Sequence, residues 1–348
     1  LERQKIDNEL KEKKKLINEL EILLKSQQRI LKVIKDELLE IKKSYGDERR
    51  TKIVAGGIKE FKEEDLITEE EVVITLSQNG YIKRGSPDVF RSQQRGGKGL
   101  IASDVGEEDL ITHFIAAHSH DNILFFTEKG RVFQTKVYEI PVASRQAKGK
   151  VIQNFLEIPP DEKVSAVVSY AEPRQEERGK TLNDQRNSAD SLSQRSSAYL
   201  VMATKNGVIK KTSLSDFTNI RRTGIIAMNL QKGDSLRWVK SSSGKDEVFI
   251  ITALGQAIRF KESQLRSMSR IAAGVRAIKL KRDDFVVGLD IINIDSKEQI
   301  AKRKLLVVTE NGFAKQTALG QYKTQKRGGQ GIKTAKITAK TGKIVSAQ

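Results

Sequence analysis

Apolar residues recur at two different periods in this chain, and the change of period divides it. Over the first stretch a seven-residue spacing runs through Leu10, Ile17, Leu24, Leu31 and Leu38. A second register, Ile6, Lys13, Leu20, Gln27, Ile34 and Ile41, is apolar at four of its six places. Neither Pro nor Gly interrupts before Gly46, and Lys and Glu fill the outer face. The spacing predicts one long coiled-coil α-helix over 1–45. Its partner helix lies outside this sequence, because a free-standing helix would leave the double seam in water. Gly46 caps the helix, and a charged linker is expected over 46–57.

From about residue 58 the texture turns to short β-branched runs separated by glycines. One unit recurs five times: a hydrophobic strand, Ser or Thr, two residues, Gly, then a strand ending in long polar side chains. The copies centre on Val72-Val73-Ile74, Ile123-Leu124-Phe125-Phe126, Leu200-Val201-Met202, Val248-Phe249-Ile250-Ile251 and Leu305-Leu306-Val307-Val308. Their turns, Asn79-Gly80, Lys129-Gly130, Asn206-Gly207, Leu254-Gly255 and Asn311-Gly312, suit tight hairpins. A second glycine follows at Gly99, Gly149, Gly224, Gly274 and Gly331, and a closing strand follows in turn, as in Lys163–Val168, Ser235–Val239 and Phe285–Leu289. About four short strands per unit is the signature of a propeller blade. The fold class is therefore mainly β over 58–348, with a loop at 171–197 whose composition predicts disorder. The final segment, Gly342–Gln348, repeats the strand that precedes a new blade, so an incomplete further blade is expected to begin there.

Charge turns this architecture toward a class of partner. The chain carries 63 Lys+Arg against 45 Asp+Glu, a net +18, which attracts polyanions over a long range. Aromatics are only 5%, too few for single-strand binding by base stacking. Cysteine is absent, which removes disulfides and thiolate metal sites and fits a reducing cytoplasm. No apolar run of about 18 residues exists to span a membrane. The start at Leu1, without Met or a signal-like core, is expected of a fragment or processed piece.

The cations are not scattered. Gln93-Gln94-Arg95-Gly96-Gly97-Lys98-Gly99 is echoed by Gln325-Lys326-Arg327-Gly328-Gly329-Gln330-Gly331, and an arginine stands four residues before the second glycine at Arg95, Arg145, Arg270 and Arg327. The third copy places Arg221-Arg222 slightly later. Glycines let the backbone approach a surface and turn its N–H groups outward, where phosphate oxygens accept from them and from Arg and Lys. Candidate phosphate contacts are Gln93, Gln94, Arg95, Gly96, Gly97, Lys98, Gly99, Arg145, Lys148, Lys150, Arg221, Arg222, Arg270, Arg276, Lys326 and Arg327. Arg145, Lys148, Arg221, Arg222 and Arg270 also read as ordinary solvated rim charges. None of these contacts reads a base, so sequence-tolerant wrapping of duplex DNA with steep salt dependence is expected.

With the repeats and the heptapeptide together, the chain resembles the C-terminal region of the DNA gyrase A family, whose defining box is similar to Gln93–Gly99. Tyr45–Thr51, Ser119-His120-Asp121-Asn122 and Gly130-Arg131-Val132-Phe133 extend the resemblance over essentially all 348 residues. It implies that 1–45 end the coiled-coil arm of the breakage-reunion region and that 58–348 are most of a six-bladed β-pinwheel. It implies DNA wrapping of positive handedness, coupled to ATP-driven strand passage that introduces negative supercoils. The implied partners are double-stranded DNA, a second copy of gyrase A, and gyrase B, in an A2B2 heterotetramer at the bacterial chromosome, with no membrane. No cofactor is implied for this chain; ATP and Mg2+ are used elsewhere in the holoenzyme. Gln94 departs from the box by replacing its second basic residue, which implies a weakened contact.

The family's cleaving tyrosine follows an arginine, whereas Tyr45, Tyr81, Tyr138, Tyr170, Tyr199 and Tyr322 follow Ser, Gly, Val, Ser, Ala and Gln. No P-loop is present, and His118 and His120 lack an evident third metal ligand. The chain alone is thus expected to be non-catalytic. Two readings compete with gyrase. The homologous topoisomerase IV tail has a degraded box and often fewer blades. A protein-interaction propeller would carry Trp-Asp repeat endings, which are absent here.

Overall fold

The computed structural model describes residues 2–46, 66–89, 109–144, 146–171, 199–218, 220–293 and 303–348. The box at 93–99, Arg145, most of the expected linker and nearly all of the 171–197 loop lie outside the described residues. The chain divides into two units, Leu1–Phe61 and Lys62–Gln348.

In the first unit the expected single helix is two, α1 (Glu2–Leu24) and α2 (Gln27–Tyr45). Ser26 sits between them in extended backbone (φ −125°, ψ 108°) and takes the N-cap position of α2. The break falls where Lys25-Ser26-Gln27-Gln28 offers four polar residues in a row, with a short N-cap former among them. The heptad spacing runs straight across this point, so periodicity alone hides it. No side chain of either helix is buried; Leu10, Ile17, Leu31 and Leu38 all stay more than half exposed. At the far end Gly46 donates to the Lys42 carbonyl at 2.8 Å, closing α2 as expected.

The second unit is all β among its described residues, apart from short 3-10 turns. Its central hairpins are β1 (Glu71–Ser77) with β2 (Tyr81–Gly85), β4 (Asn122–Thr127) with β5 (Arg131–Lys136), β8 (Tyr199–Thr204) with β9 (Val208–Ser213), β12 (Glu247–Thr252) with β13 (Gln256–Lys261), and β16 (Lys304–Thr309) with β17 (Ala314–Ala318). A closing strand flanks the first member of each pair: β3 (Ile111–His118), β7 (Val164–Tyr170), β11 (Leu236–Ser242), β15 (Val286–Ile292) and β19 (Ile344–Ala347). Residues 344–347 therefore complete the fifth sheet; they do not open a sixth, because their register pairs Val307 with Ala347 and Thr309 with Ile344.

In the first four sheets the fourth strand is borrowed. Four two-residue strands, β6 (Lys150–Val151), β10 (Ile225–Ile226), β14 (Val275–Arg276) and β18 (Ile332–Lys333), follow the second glycine of one repeat and pair with the outer strand of the repeat before it. Thus β6 joins β2, β10 joins β5, β14 joins β9 and β18 joins β13. Sequence patterning expects four strands inside each unit, but a two-residue strand carries no period that could reveal where it docks.

Cores form between sheets. Ile123 and Phe125 pack toward the first sheet's Val72, Ile74 and Ile82, while their neighbours Leu124 and Phe126 pack toward Leu200, Met202 and Phe217 of the third. Val201 and Ala203 meet Val248 and Ile250, and Phe249 and Ile251 meet Leu305 and Val307. Central strands covered on both faces need continuous apolar runs, which is why these segments do not alternate. The lone Trp238 packs against the core between the third and fourth sheets.

Candidate nucleic-acid interface

The described parts of the arginine–glycine loops, 146–149, 221–224, 270–274 and 327–331, lie where the borrowed strands begin, along the outer edges of the sheets. Two glycines show what this position demands. Gly149 and Gly274 adopt φ of +93° and +91°, and a Cβ would stand 2.4 Å from the Ile82 oxygen and 2.7 Å from the Ile209 oxygen. The glycine lets the loop lie flat against the preceding sheet's outer strand. Its first task is therefore docking.

Successive loops are hydrogen-bonded to one another. Asn229 donates to the Ala272 carbonyl at 3.4 Å, Gly328 to Ala277 at 2.7 Å and Lys279 to Gly329 at 2.8 Å. The Arg327 guanidinium reaches the Arg276 carbonyl, and the Arg327 backbone N–H donates to Gln264 Oε1 at 2.8 Å. Arg270 reaches back to the Asp216 carbonyl at 3.3 Å. From the third repeat to the fifth these loops thus form a connected band.

Of the described candidates, Lys148, Lys150, Arg221, Arg222, Arg276 and Lys326 are exposed, whereas Arg270 and Arg327 are half-buried. The last two spend part of their donor capacity on neighbouring repeats, and their Nε atoms are buried without a partner. Arg276 and Lys279 also line a rim groove of about 490 Å³ with Asn206, Gln231 and Gly274. His118 lies 3.8 Å from Asp121 and 3.9 Å from Glu71, and His120 packs edge-on to Tyr138. Among the described residues no group of three His, Asp or Glu is placed to hold a metal, and no helix is long and apolar enough to cross a membrane.

Sequence reasoning missed the cations beneath the rim. Lys83 and Lys210 are almost wholly buried. Burial pushes both ammonium groups down, that of Lys210 to about 8, with Asp216 opposing the shift and Arg270 adding to it. Arg259 is held by Glu247 and donates to the Leu319 and Tyr322 carbonyls, both at 3.2 Å. Also missed were Asp109, Asp234 and Asp284, which accept from backbone N–H groups of the hairpin turns at Asn79, Asn206 and Leu254.

The family description "DNA gyrase C-terminal domain, beta-propeller" matches in five blocks, 71–118, 121–170, 198–243, 246–293 and 303–348. Each block coincides with one hairpin and its closing strand, and together they cover well over half of the chain. The chain belongs to this gyrase C-terminal domain family. It is 43% identical over 345 residues to the DNA gyrase A protein of Staphylococcus epidermidis, covering 99% of this chain and 36% of that protein. It is 41% identical over the same length to the DNA gyrase A protein of Staphylococcus aureus, with the same coverage. The chain thus spans about a third of the length of these curated relatives. A solved gyrase A C-terminal domain superposes with a TM-score of 0.59 at 25% identity, over 80% of this chain and 82% of that one. The C-terminal domain of a DNA topoisomerase IV shares the fold, with a TM-score of 0.60 at 23% identity over 81% of this chain and 78% of that one. In this member of the gyrase C-terminal domain family, the described residues form five blades, linked by borrowed strands that follow the described basic loops.

Proposed function

We propose that residues 58–348 wrap duplex DNA around the outer rim of the blades, as the C-terminal domain of a protein of the gyrase A type. The observation that carries this reading is the series of basic loops along the sheet edges, hydrogen-bonded to one another from the third repeat to the fifth, in which Lys148, Lys150, Arg221, Arg222, Arg276 and Lys326 stand exposed. Phosphates along a curved duplex would meet these cations in succession, with the box at 93–99 fastening one end of the wrap. Bending a site of 20–30 base pairs costs on the order of 1–6 kcal/mol, which many such contacts offset. In the holoenzyme the wrap would present a neighbouring segment for strand passage, with cleavage and ATP hydrolysis on Mg2+ carried by parts outside this chain. A second gyrase A and two copies of gyrase B would complete the assembly on the chromosome in the cytoplasm. α1 and α2 would belong to the coiled-coil arm.

A sixth blade is part of the proposal. β17 has no outer partner among the described residues, although each of its four counterparts takes a strand from the repeat that follows. Leu306 and Phe313 of the fifth blade are 36% and 44% exposed, an apolar face of the kind that another blade covers elsewhere in the unit.

Binding the chain to nicked circular duplex, sealing with ligase and reading the trapped writhe tests the wrap. Positive writhe that disappears at high salt is expected. Binding without writhe would leave DNA affinity and remove wrapping.

A further inference from the structure

Lys210 lies in β9, three residues after the hairpin Gly207, and is fully buried. Its ammonium does not pair with a carboxylate among the described residues. Instead Nζ donates to the carbonyl of Ala227 at 2.5 Å, to Ser269 and Ala272 at 3.3 Å each, and to Arg270. Three of these four carbonyls belong to the basic loop of the next repeat. Lys83, three residues after Gly80, repeats the arrangement two junctions earlier. It donates to the carbonyls of Ser144 and Ala147 at 3.2 and 2.7 Å, which flank residue 145. At the same position in the second and fourth blades stand Phe133 and Ile258, also fully buried. Phe133 abuts Gly224, and Ile258 approaches Gly329.

A trans peptide points its N–H opposite to its C=O. Drawing the carbonyls of Ser269, Arg270 and Ala272 inward therefore turns the N–H groups of Arg270, Ile271 and Ala273 toward solvent. Among the described residues these three donate to no backbone carbonyl. Outward N–H groups over an internal cation form an anion-binding concavity. We propose that Lys210 is a positioning residue for DNA phosphate at the 269–274 loop, orienting its peptide N–H groups outward and adding positive potential from below, with Lys83 doing the same beneath 146–149. This rests on the rim being the DNA-binding surface.

The groups facing the Lys210 ammonium are Asp216 on the turn after β9 and the Arg270 guanidinium. Beside it, Lys211 is occupied by Glu262 at 3.5 Å. Burial holds the Lys210 ammonium down at about 8, so raising the pH past that value probes its charge.

The test measures affinity of the full chain for a long linear duplex at fixed low salt, near neutral pH and again at about pH 9.5. Lys210→Met, folded by near-ultraviolet circular dichroism, is expected to lose affinity about 3- to 10-fold at neutral pH, with a flattened pH profile. Lys210→Arg is expected to bind as the native chain does near neutral pH and to keep that affinity at the higher pH, where the native chain weakens. If Lys210→Met does not fold, Lys83→Met carries the same expectation at the earlier junction. Arg270→Ala separates the two readings, since loss of a phosphate contact should lower affinity and reduce the salt slope by about 1. Arg270→Ala weakening binding while a folded Lys210→Met matches the native chain at both pH values overturns the positioning role alone. A native chain that fails to bind duplex at low salt overturns the rim reading itself.

Discussion

Gly274 brings together the local demands of this fold: its φ of +91° is strained for any other residue, and the Ile209 oxygen occupies the space a side chain would take. Gly274→Ala should cost about 1–3 kcal/mol, as backbone strain and a displaced borrowed strand combine. Urea denaturation of the purified chain measures this, and an unchanged midpoint would show that the loop can lift away freely. The glycine was legible in the sequence as a repeated position, but its cause was not, because the clashing oxygen belongs to another repeat. Lys210 was hidden for a related reason. A basic residue in a strand ending in long polar side chains reads as solvated, and only alignment of the repeats sets it in a column with Phe133 and Ile258. That column was available in the sequence as evidence of an inward position.

Among elements, the hairpins and the closing strands β7, β11 and β15 were legible because each carries its own apolar run beside a turn glycine, whereas β19 read as the opening of a further blade and closes the fifth sheet instead. The helix break was not, since the heptad spacing crosses Ser26 unchanged. Junctions between blades were also beyond reach, as their contacts join residues far apart in the chain. Arg259 illustrates the stakes there. It lies between Glu247 in its own blade and the Leu319 and Tyr322 carbonyls of the next, and Glu247 also accepts from Thr324 Oγ1 at 3.1 Å. Arg259→Leu removes the cation from a buried carboxylate and should cost about 3–5 kcal/mol. Pairing it with Glu247→Leu should recover most of that loss. Hydrogen exchange should place the weakening first at the junction of the fourth and fifth blades. Equal loss in the single and double variants would assign the cost to packing alone.

At the scale of the whole β unit, the borrowed strands mean that blades cannot be removed one at a time without consequence. Deleting residues 303–348 takes β16, β17 and β19, and also β18, the outer strand of the fourth sheet. Amide exchange in β13 should therefore accelerate in the shortened chain, although every residue of its hairpin is retained. Undisturbed protection of Gln256–Lys261 would show that the two-residue pairing contributes little.

The same borrowing sets an order of events during synthesis. A chain leaving the ribosome releases β3, through His118, before β6 at Lys150–Val151, so the first sheet stays one strand short until much of the second repeat has emerged. Each later sheet through the fourth waits on its successor in the same way. The nascent chain thus always exposes one unfinished outer edge, next to a basic loop not yet docked, at whichever blade was made last.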